Sequence, residues 1–147
     1  MTVVLGSDHA GHKFKIALSD YLQNQGITTK IVGSQSEDRF DYPIASDEVA
    51  HHIHNHPHDF GILICGSGIG VSIRANRYPH IRAALCTTPE LAQLAREHNH
   101  ANVLCLGERI ITIEQAKEIV NVFLNANPDL GERHVHRVHL LGTELVD

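Results

Sequence analysis

Short apolar runs alternate with segments of helical periodicity along the 147 residues of the chain. Runs of β-branched and aliphatic residues predict five strands, at residues 2–6, 27–32, 61–65, 81–86 and 102–107. The run at 61–65 is apolar throughout, which is typical of a strand buried on both faces. The run at 27–32 is partly polar, which favours a position nearer the edge of the sheet.

Between these runs, apolar residues recur every three or four positions, as on one face of a helix. Pro43, Thr88 and Thr112 begin three of these segments with residues that favour helix starts. Gly26 ends the first segment, and Pro57 ends the one that Pro43 begins. A short helix is predicted at 71–76 and a last one at 132–146, where Val135, Val138, Leu141 and Leu145 share a face. The remaining predicted stripes are Ala10, Phe14, Ala17, Leu18 and Tyr21; Ala45, Val49 and Ile53; Leu91, Leu94 and Ala95; and Ala116, Ile119, Val120 and Phe123.

Strands that alternate with helices predict an α/β fold, a three-layer αβα sandwich around a five-stranded parallel Rossmann-like sheet. The C-terminal helix is an extra element with no strand to cover, so its stripe would suit a neighbouring subunit. No linker, repeat or low-complexity tract interrupts the pattern, and we expect residues 1–147 to form one domain. Ligands of such folds bind outside the carboxyl ends of the strands.

Composition narrows the functional classes. The chain is 42% apolar and 20% charged with a net charge of −5, so we expect a globular protein that does not bind nucleic acid. No apolar run approaches the ~20 residues that span a membrane. Met1 leads straight into a predicted strand, so no signal peptide is expected. Three cysteines without a C-x-x-C pair suit reduced thiols in the cytoplasm.

The richest stretch in chemical terms is FGILICGSGIGVSIRAN at 60–76. A buried strand there runs into three alternate glycines and then into a helix start, where backbone N–H groups are available to an anion. Cys65 lies at the lip of this turn, where a helix N-terminus favours a thiolate. The spacing fits neither the dinucleotide fingerprint nor the phosphate P-loop, nor a cysteine phosphatase loop. A tight turn without a ligand remains the structural alternative.

Other candidates have two interpretations each. Asp8 and His9 follow the first strand and serve either as a helix cap and a solvated ring or as contacts to a sugar phosphate. His98 is either a packing residue or a proton-transfer group, and Asn99 either ends a helix or contacts a ligand. Arg133 and Arg137 lie four residues apart on one helical face. They either form a solvated face or bind one phosphate together.

The histidines between 51 and 58 are not expected to form a metal site. Neighbouring histidines on a helix point in different directions, and no acidic or cysteine ligand is expected at a matching spacing. We therefore expect an exposed face with at most adventitious metal binding.

Several separated motifs in order resemble the ribose-5-phosphate isomerase type B family, which includes the galactose-6-phosphate isomerase subunits. The resemblance runs nearly end to end. The motifs are G-S-D-H-A-G-H-K at 6–13, D-Y-P at 41–43, I-L-I-C-G-S-G-I-G-V-S-I-R-A-N-R at 62–77, R-E-H-N at 96–99, G-E-R at 107–109 and R-H-V-H-R at 133–137.

The resemblance implies an isomerase of the pentose phosphate pathway that interconverts D-ribose 5-phosphate and D-ribulose 5-phosphate without metal or cofactor. It assigns Cys65 as the base that moves a proton between carbons 1 and 2, since Val71 replaces the glutamate base of another branch. His98 and Asp8 would open the sugar ring. The enediolate would be held by Ser67 and the turn amides of Gly66, Gly68, Ile69 and Gly70. Asn99 would bind sugar oxygens, Tyr42 would line the pocket, and phosphate would be bound by His9, Arg109, Arg133 and Arg137.

The resemblance also implies a homodimer or a dimer of dimers, with sites shared between subunits. His98, Asn99 and Arg109 would then reach across from the neighbour. Three alternatives stay open: the same reaction on a hexose 6-phosphate such as allose or galactose, a phosphate- or nucleotide-binding module without turnover, and a redox thiol protein.

Overall fold

A computed structural model describes residues 1–143, and it confirms the predicted α/β architecture with a five-stranded, all-parallel sheet. The elements in chain order are β1 (Thr2–Ser7), α1 (His12–Asn24), β2 (Thr28–Gly33), α2 (Tyr42–Asn55), β3 (Phe60–Cys65), α3 (Ile69–Ala75), β4 (Ala83–Leu85), α4 (Pro89–Asn99), β5 (Val103–Gly107), α5 (Ile113–Asn125) and α6 (Glu132–Leu141). The strand order is β2-β1-β3-β5-β4.

Strand β3 lies at the centre of the sheet, between β1 and β5. Leu63 is in register with Gly6 on one side and with Cys105 on the other. All residues from Gly61 to Cys65 are buried, as the apolar run predicts. The partly polar β2 is an edge strand, which confirms its predicted position.

The opposite edge strand, β4, covers only Ala83–Leu85 and is shorter than the predicted 81–86. Side chains account for the difference. Asn102 Oδ1 accepts a hydrogen bond from the Arg82 amide, and the Asn76 amide group bonds both the N–H and the C=O of Ala83. The Asn102 side chain thus satisfies a backbone group just before the strand, and the Asn76 side chain bonds the first residue of the strand itself.

Alternate residues of the strands enter two core layers. Leu5, Ile64 and Leu104 face the layer that contains core residues of α1, α4 and α5. Val4, Leu63 and Cys105 face the layer that contains those of α2 and α3. The period of two along each strand therefore produces the three-layer sandwich.

The buried face of α4 differs from the predicted stripe. Ala92 and Ala95 are buried, whereas Leu91 and Leu94 are 44% and 45% exposed. Helix α4 packs against α5 and α6 beside the short edge strand, and small side chains permit that close approach. Ala95 was predicted correctly, but the assignment of the two leucines to the core was wrong.

Helix α6 is the extra C-terminal helix, and no residue in it is buried. It contacts α4, and Val135 and Leu141 remain 45% and 59% exposed. Its predicted extent reached Val146, but the structure ends the helix at Leu141, and Leu145 and Val146 lie outside the described residues. Within residues 1–143, no helix combines the length and the apolar character that crossing a bilayer requires.

Candidate active site

The glycine turn after β3 is held tightly by its neighbours. Gly68 has φ of +80°, in the left-handed region that favours glycine. A Cβ placed there would lie 2.5 Å from Leu85 Cδ1 and 2.9 Å from the Leu106 carbonyl carbon. Both the backbone conformation and the close approach of β4 and β5 therefore require glycine at this position.

Cys65 is the last residue of β3, and its side chain lies on the α2 and α3 side of the sheet. Its sulfur accepts a hydrogen bond from the Gly68 N–H at 3.1 Å. An N–H that donates to sulfur stabilises the thiolate, which is the basic and nucleophilic form. The residue is only 5% exposed, and it packs with the core residues of α2 and α3.

A surface groove of about 390 Å³ adjoins the far end of the turn. Gly70 and Tyr42 line it, together with Pro43, Ile73, Arg74 and Arg77. The Tyr42 ring packs over Gly70, where a Cβ would come within 2.7 Å of the ring. The structure thus places Tyr42 beside the turn, in a groove whose lining does not include Cys65, and its part in a substrate pocket stays a prediction.

The Ser67 hydroxyl accepts the Ile69 N–H at 3.2 Å, so its own proton is available to a ligand. Because the amides of Gly68 and Ile69 donate within the turn, they are engaged before any ligand arrives. Among hydrogen bonds of residues 1–143, none uses the amides of Gly66, Ser67 or Gly70 as donors. This narrows the predicted anion donors to the Ser67 hydroxyl and those three amides.

The loop after β5 closes over the same turn. The Glu108 amide donates to the Cys65 carbonyl and the Arg109 amide to the Gly66 carbonyl, each at 2.9 Å. The Arg109 guanidinium lies over Gly66: a Cβ added to that glycine would be 3.5 Å from the guanidinium, in van der Waals contact with it. Arg109 is therefore beside the turn of its own chain, which differs from the expectation that it reaches across from a neighbour.

Asp8 and His9 meet the turn from β1. The Asp8 amide donates to the Ile64 carbonyl at 3.3 Å, which places Asp8 next to Cys65 along the sheet edge. Its carboxylate accepts the Gly11 N–H at 3.0 Å, a bond in the turn before α1, and keeps a second oxygen for a ligand. Helix α1 has no side-chain cap at its start, so the interpretation of Asp8 as a helix cap was wrong. The exposed His9 ring is held by the backbone of Phe40. We call Asp8, His9, Tyr42, residues 65–70 and Arg109 the carboxyl-edge cluster.

His98 and Asn99 lie on the opposite side of the sheet from this cluster, at the amino ends of the strands. Helix α4 starts after β4 and runs back against the strands, so His98 is roughly 14 Å along the helix from Pro89. Both residues are exposed. The partly buried packing role considered for His98 is therefore not what the described chain shows.

The start of α6 completes this second group. The ring of His98 stacks on that of His134, with centroids 4.6 Å apart and planes 7° apart. Arg133 precedes His134, and Arg137 follows one turn later on the same exposed helix. The Gly131 N–H, together with the positive charge of His134, His98 and Arg133, holds the pKa of Asp129 below its usual value. We call His98, Asn99, Arg133, His134 and Arg137 the amino-edge cluster.

The sequence pattern did not mark two residues that the structure makes notable: His134 in the amino-edge cluster, and Lys15, which contacts Val32 and Ser34. His134 was not singled out, although its stacking fixes the ring of His98. Lys15 is fully buried, and its ammonium donates to the Val32 carbonyl at 2.9 Å and to Ser34. Burial lowers the pKa of Lys15 to about 8, against the smaller opposing effect of Glu48. Lys15 lies three residues before Leu18 and seven before Leu22, on the buried face of α1, and this helical spacing is the signal that could have predicted its burial.

The sequence and the fold are those of a known family. The sequence matches the Ribose/Galactose Isomerase family over residues 3–141, and the chain belongs to that family of isomerases. The ribose-5-phosphate isomerase B of Escherichia coli K12 is 40% identical over 139 residues, which are 95% of this chain and 93% of that protein.

Two further relatives bear on the substrate. A D-erythrulose-4-phosphate isomerase of Pectobacterium atrosepticum is 40% identical over 132 residues, 89% of this chain and 87% of that protein. The ribose-5-phosphate isomerase B of Mycoplasma genitalium, solved with bound ribulose-5-phosphate, superposes with a TM-score of 0.90 at 36% identity, covering 95% of this chain and 93% of that one. The chain is thus similar to isomerases of more than one sugar phosphate.

Proposed function

We propose that the chain interconverts D-ribose 5-phosphate and D-ribulose 5-phosphate, with Cys65 as the base that moves the proton. The observation that carries this proposal is the Cys65 sulfur, 3.1 Å from the Gly68 amide at the base of the glycine turn. Similarity to a ribose-5-phosphate isomerase B, and to one solved with bound ribulose-5-phosphate, supports the choice of substrate.

In the forward reaction, the Cys65 thiolate takes the proton from carbon 2 of the open-chain aldose. The electron pair forms an enediolate, and the thiol then returns a proton to carbon 1. The hydroxyl proton of oxygen 2 is transferred to oxygen 1, which leaves the ketose. The Ser67 hydroxyl and the free turn amides hold the developing negative charge, because preorganised donors stabilise an oxyanion without reorganisation.

The substrate enters as a furanose, so its ring must open first. In the proposal His98 donates a proton to the ring oxygen, and Asp8 accepts the hydroxyl proton from carbon 1. Asn99 holds sugar oxygens, while His9, Arg109, Arg133 and Arg137 bind the phosphate. Guanidinium groups suit this task because they bind phosphate oxygens in a bidentate manner.

These roles require both clusters, which lie at opposite edges of one sheet. We infer that two chains pair so that the amino-edge cluster of one completes the carboxyl-edge cluster of the other. The exposed apolar residues of α4 and α6, such as Leu94 and Leu141, support a surface that a second copy covers. A homodimer is the smallest assembly of this kind, and a dimer of dimers repeats it.

Each assigned step uses a group that the chain itself supplies, so the proposal includes no metal and no cofactor. A sugar phosphate is then the small-molecule partner, and neither nucleic acid nor membrane has a part in the reaction. We place the enzyme in the cytoplasm, in the pentose phosphate pathway, where reduced thiols persist.

The test is a panel of substrates on the purified protein: ribose 5-phosphate, allose 6-phosphate, galactose 6-phosphate and erythrulose 4-phosphate. We expect the highest kcat/KM on ribose 5-phosphate, and a loss of about 10²–10⁴ in kcat in Cys65→Ala with KM little changed, as for removal of a general base. Higher kcat/KM on a hexose phosphate or on erythrulose 4-phosphate would replace the substrate. Unchanged kcat in Cys65→Ala would remove the thiol from the mechanism.

A further inference from the structure

The histidine-rich end of α2 forms a compact group that the isomerase reaction does not use. His52 Nε2 lies 2.8 Å from Asp59 Oδ2, and the rings of His52 and His56 stack with centroids 4.4 Å apart and planes 17° apart. One ligand atom from each of these three residues lies within 4.8 Å of the other two. The chain turn after α2 thus supplies the acidic partner that the spacing of the histidines alone did not indicate.

The hydrogen bonds around the group orient its ligand atoms. His56 Nδ1 lies 3.0 Å from the His52 carbonyl, which only accepts, so Nδ1 carries the hydrogen and Nε2 has a free lone pair. The Thr2 amide donates to Asp59 Oδ1 at 2.8 Å, which leaves Oδ2 directed at the histidines. Outer hydrogen bonds of this kind fix the tautomer and direction of ligands in metal sites.

The positions in the fold are also favourable for a site. His52 and His56 are four residues apart at the end of a helix, the spacing that puts two imidazoles on one face. The side chains of His52 and Asp59 are 9% and 13% exposed, whereas His56 is exposed and can adjust. Tetrahedral zinc holds its ligand atoms about 3.3 Å apart. Binding therefore requires that the His52 and Asp59 ligand atoms move slightly apart from 2.8 Å and that His56 moves closer to them.

We propose that His52, His56 and Asp59 form a binding site for one divalent transition-metal ion, with zinc as the best match. Two imidazoles and one carboxylate are ligands that Zn²⁺ accepts, and they leave a fourth position for water. The ion joins the end of α2 to the turn before β3 and, through Thr2, to the start of β1. The site lies at the amino end of β3, whereas Cys65 lies at the carboxyl end.

The experiment is a titration of the full, untagged chain with Zn²⁺ by calorimetry, with Co²⁺ as a spectroscopic probe. The variant is His56→Ala, in which an exposed ligand is removed without opening the core. The matched control is His54→Ala, an exposed histidine of the same helix whose ring lies against His80 instead. A parallel titration of Cys65→Ala tests the thiol as an alternative ligand.

We expect one Zn²⁺ per chain in the wild type, His54→Ala and Cys65→Ala, and affinity at least tenfold lower in His56→Ala. Zn²⁺ should raise the Tm by several degrees in the first three and not in His56→Ala, because an ion bound only by the folded state stabilises it. Absence of binding in the wild type, equal affinity in all four chains, or loss in Cys65→Ala would overturn the site. Turnover of ribose 5-phosphate is measured separately, since the two proposals can fail independently.

Discussion

Three thiols lie in or beside the same sheet, and their surroundings give them different chemistry. Burial raises the pKa of Cys86 to about 11, and burial together with the neighbouring thiols Cys65 and Cys86 raises that of Cys105 well above its ordinary value. Cys65 differs from both because a backbone N–H donates directly to its sulfur. At the scale of one residue, this hydrogen bond is what makes Cys65 a candidate base.

Alkylation tests that difference. With iodoacetamide at pH 8, Cys86 with a pKa of about 11 is roughly 0.1% thiolate. We expect one alkyl group per chain, on Cys65, with loss of turnover in proportion and slower reaction when ribose 5-phosphate is bound. Peptide mass spectrometry identifies the modified residue. Modification of Cys86 or Cys105 before Cys65 would contradict the assignment.

Sequence pattern alone marked Asp8, His9 and Cys65 at the carboxyl edge because each lies at a strand end, whereas Tyr42 was named only by the family resemblance. Asp8 shows the limit of that reasoning: its carboxylate bonds the Gly11 N–H in the turn before α1 and does not cap the helix, while its backbone places it beside Cys65. Leu91 and Leu94 show another limit. Helical spacing identifies an apolar face, but whether that face meets the core or a different surface depends on the neighbouring elements.

At the scale of elements, the turn between β3 and α3 depends on Gly68, and Gly26 offers a matched comparison from another turn. Gly26 shares the φ of +80° with Gly68, but a Cβ on Gly26 would meet no atom within 4 Å. The pair therefore separates backbone strain, which both positions have, from crowding by β4 and β5, which only Gly68 has.

We expect Gly26→Ala to cost about 1 kcal/mol of unfolding free energy from left-handed strain alone. Gly68→Ala should cost about 2–4 kcal/mol, because overpacking against Leu106 adds to the strain. Urea unfolding measures both, and turnover should fall only in Gly68→Ala. Equal losses of unfolding free energy in the two variants would mean that crowding by β4 and β5 adds nothing at Gly68, which would contradict this interpretation.

Helix starts were the most predictable part of the fold because their chemistry is local. Thr112 and Gln115 form the expected capping box, and the Thr88 hydroxyl accepts the Leu91 N–H at 3.2 Å. The start of β4 was not predictable, because the Asn102 side chain takes the Arg82 amide from a position 20 residues away. Local patterns therefore predicted which elements form better than where an edge strand begins.

At the scale of the whole molecule, the candidate site is divided. Cys65 ends β3 at one edge of the sheet, and His98 ends α4 at the other, although the motifs of both belong to one family pattern. No spacing in the sequence shows this division, because it follows from the direction in which α4 crosses the sheet. Pairing of two chains is the arrangement that reunites the clusters in our account.

Mixing two inactive variants tests that account most directly. Cys65→Ala and His98→Ala are unfolded together in equal amounts and refolded, and ribose 5-phosphate turnover is measured. Random pairing gives half mixed dimers, each with one intact site, so we expect about one quarter of wild-type turnover per chain. The control mixes Cys65→Ala with Asp8→Ala, two changes in the same cluster, and should gain nothing. Turnover in the first mixture no higher than that of the separate variants would contradict a site shared between chains.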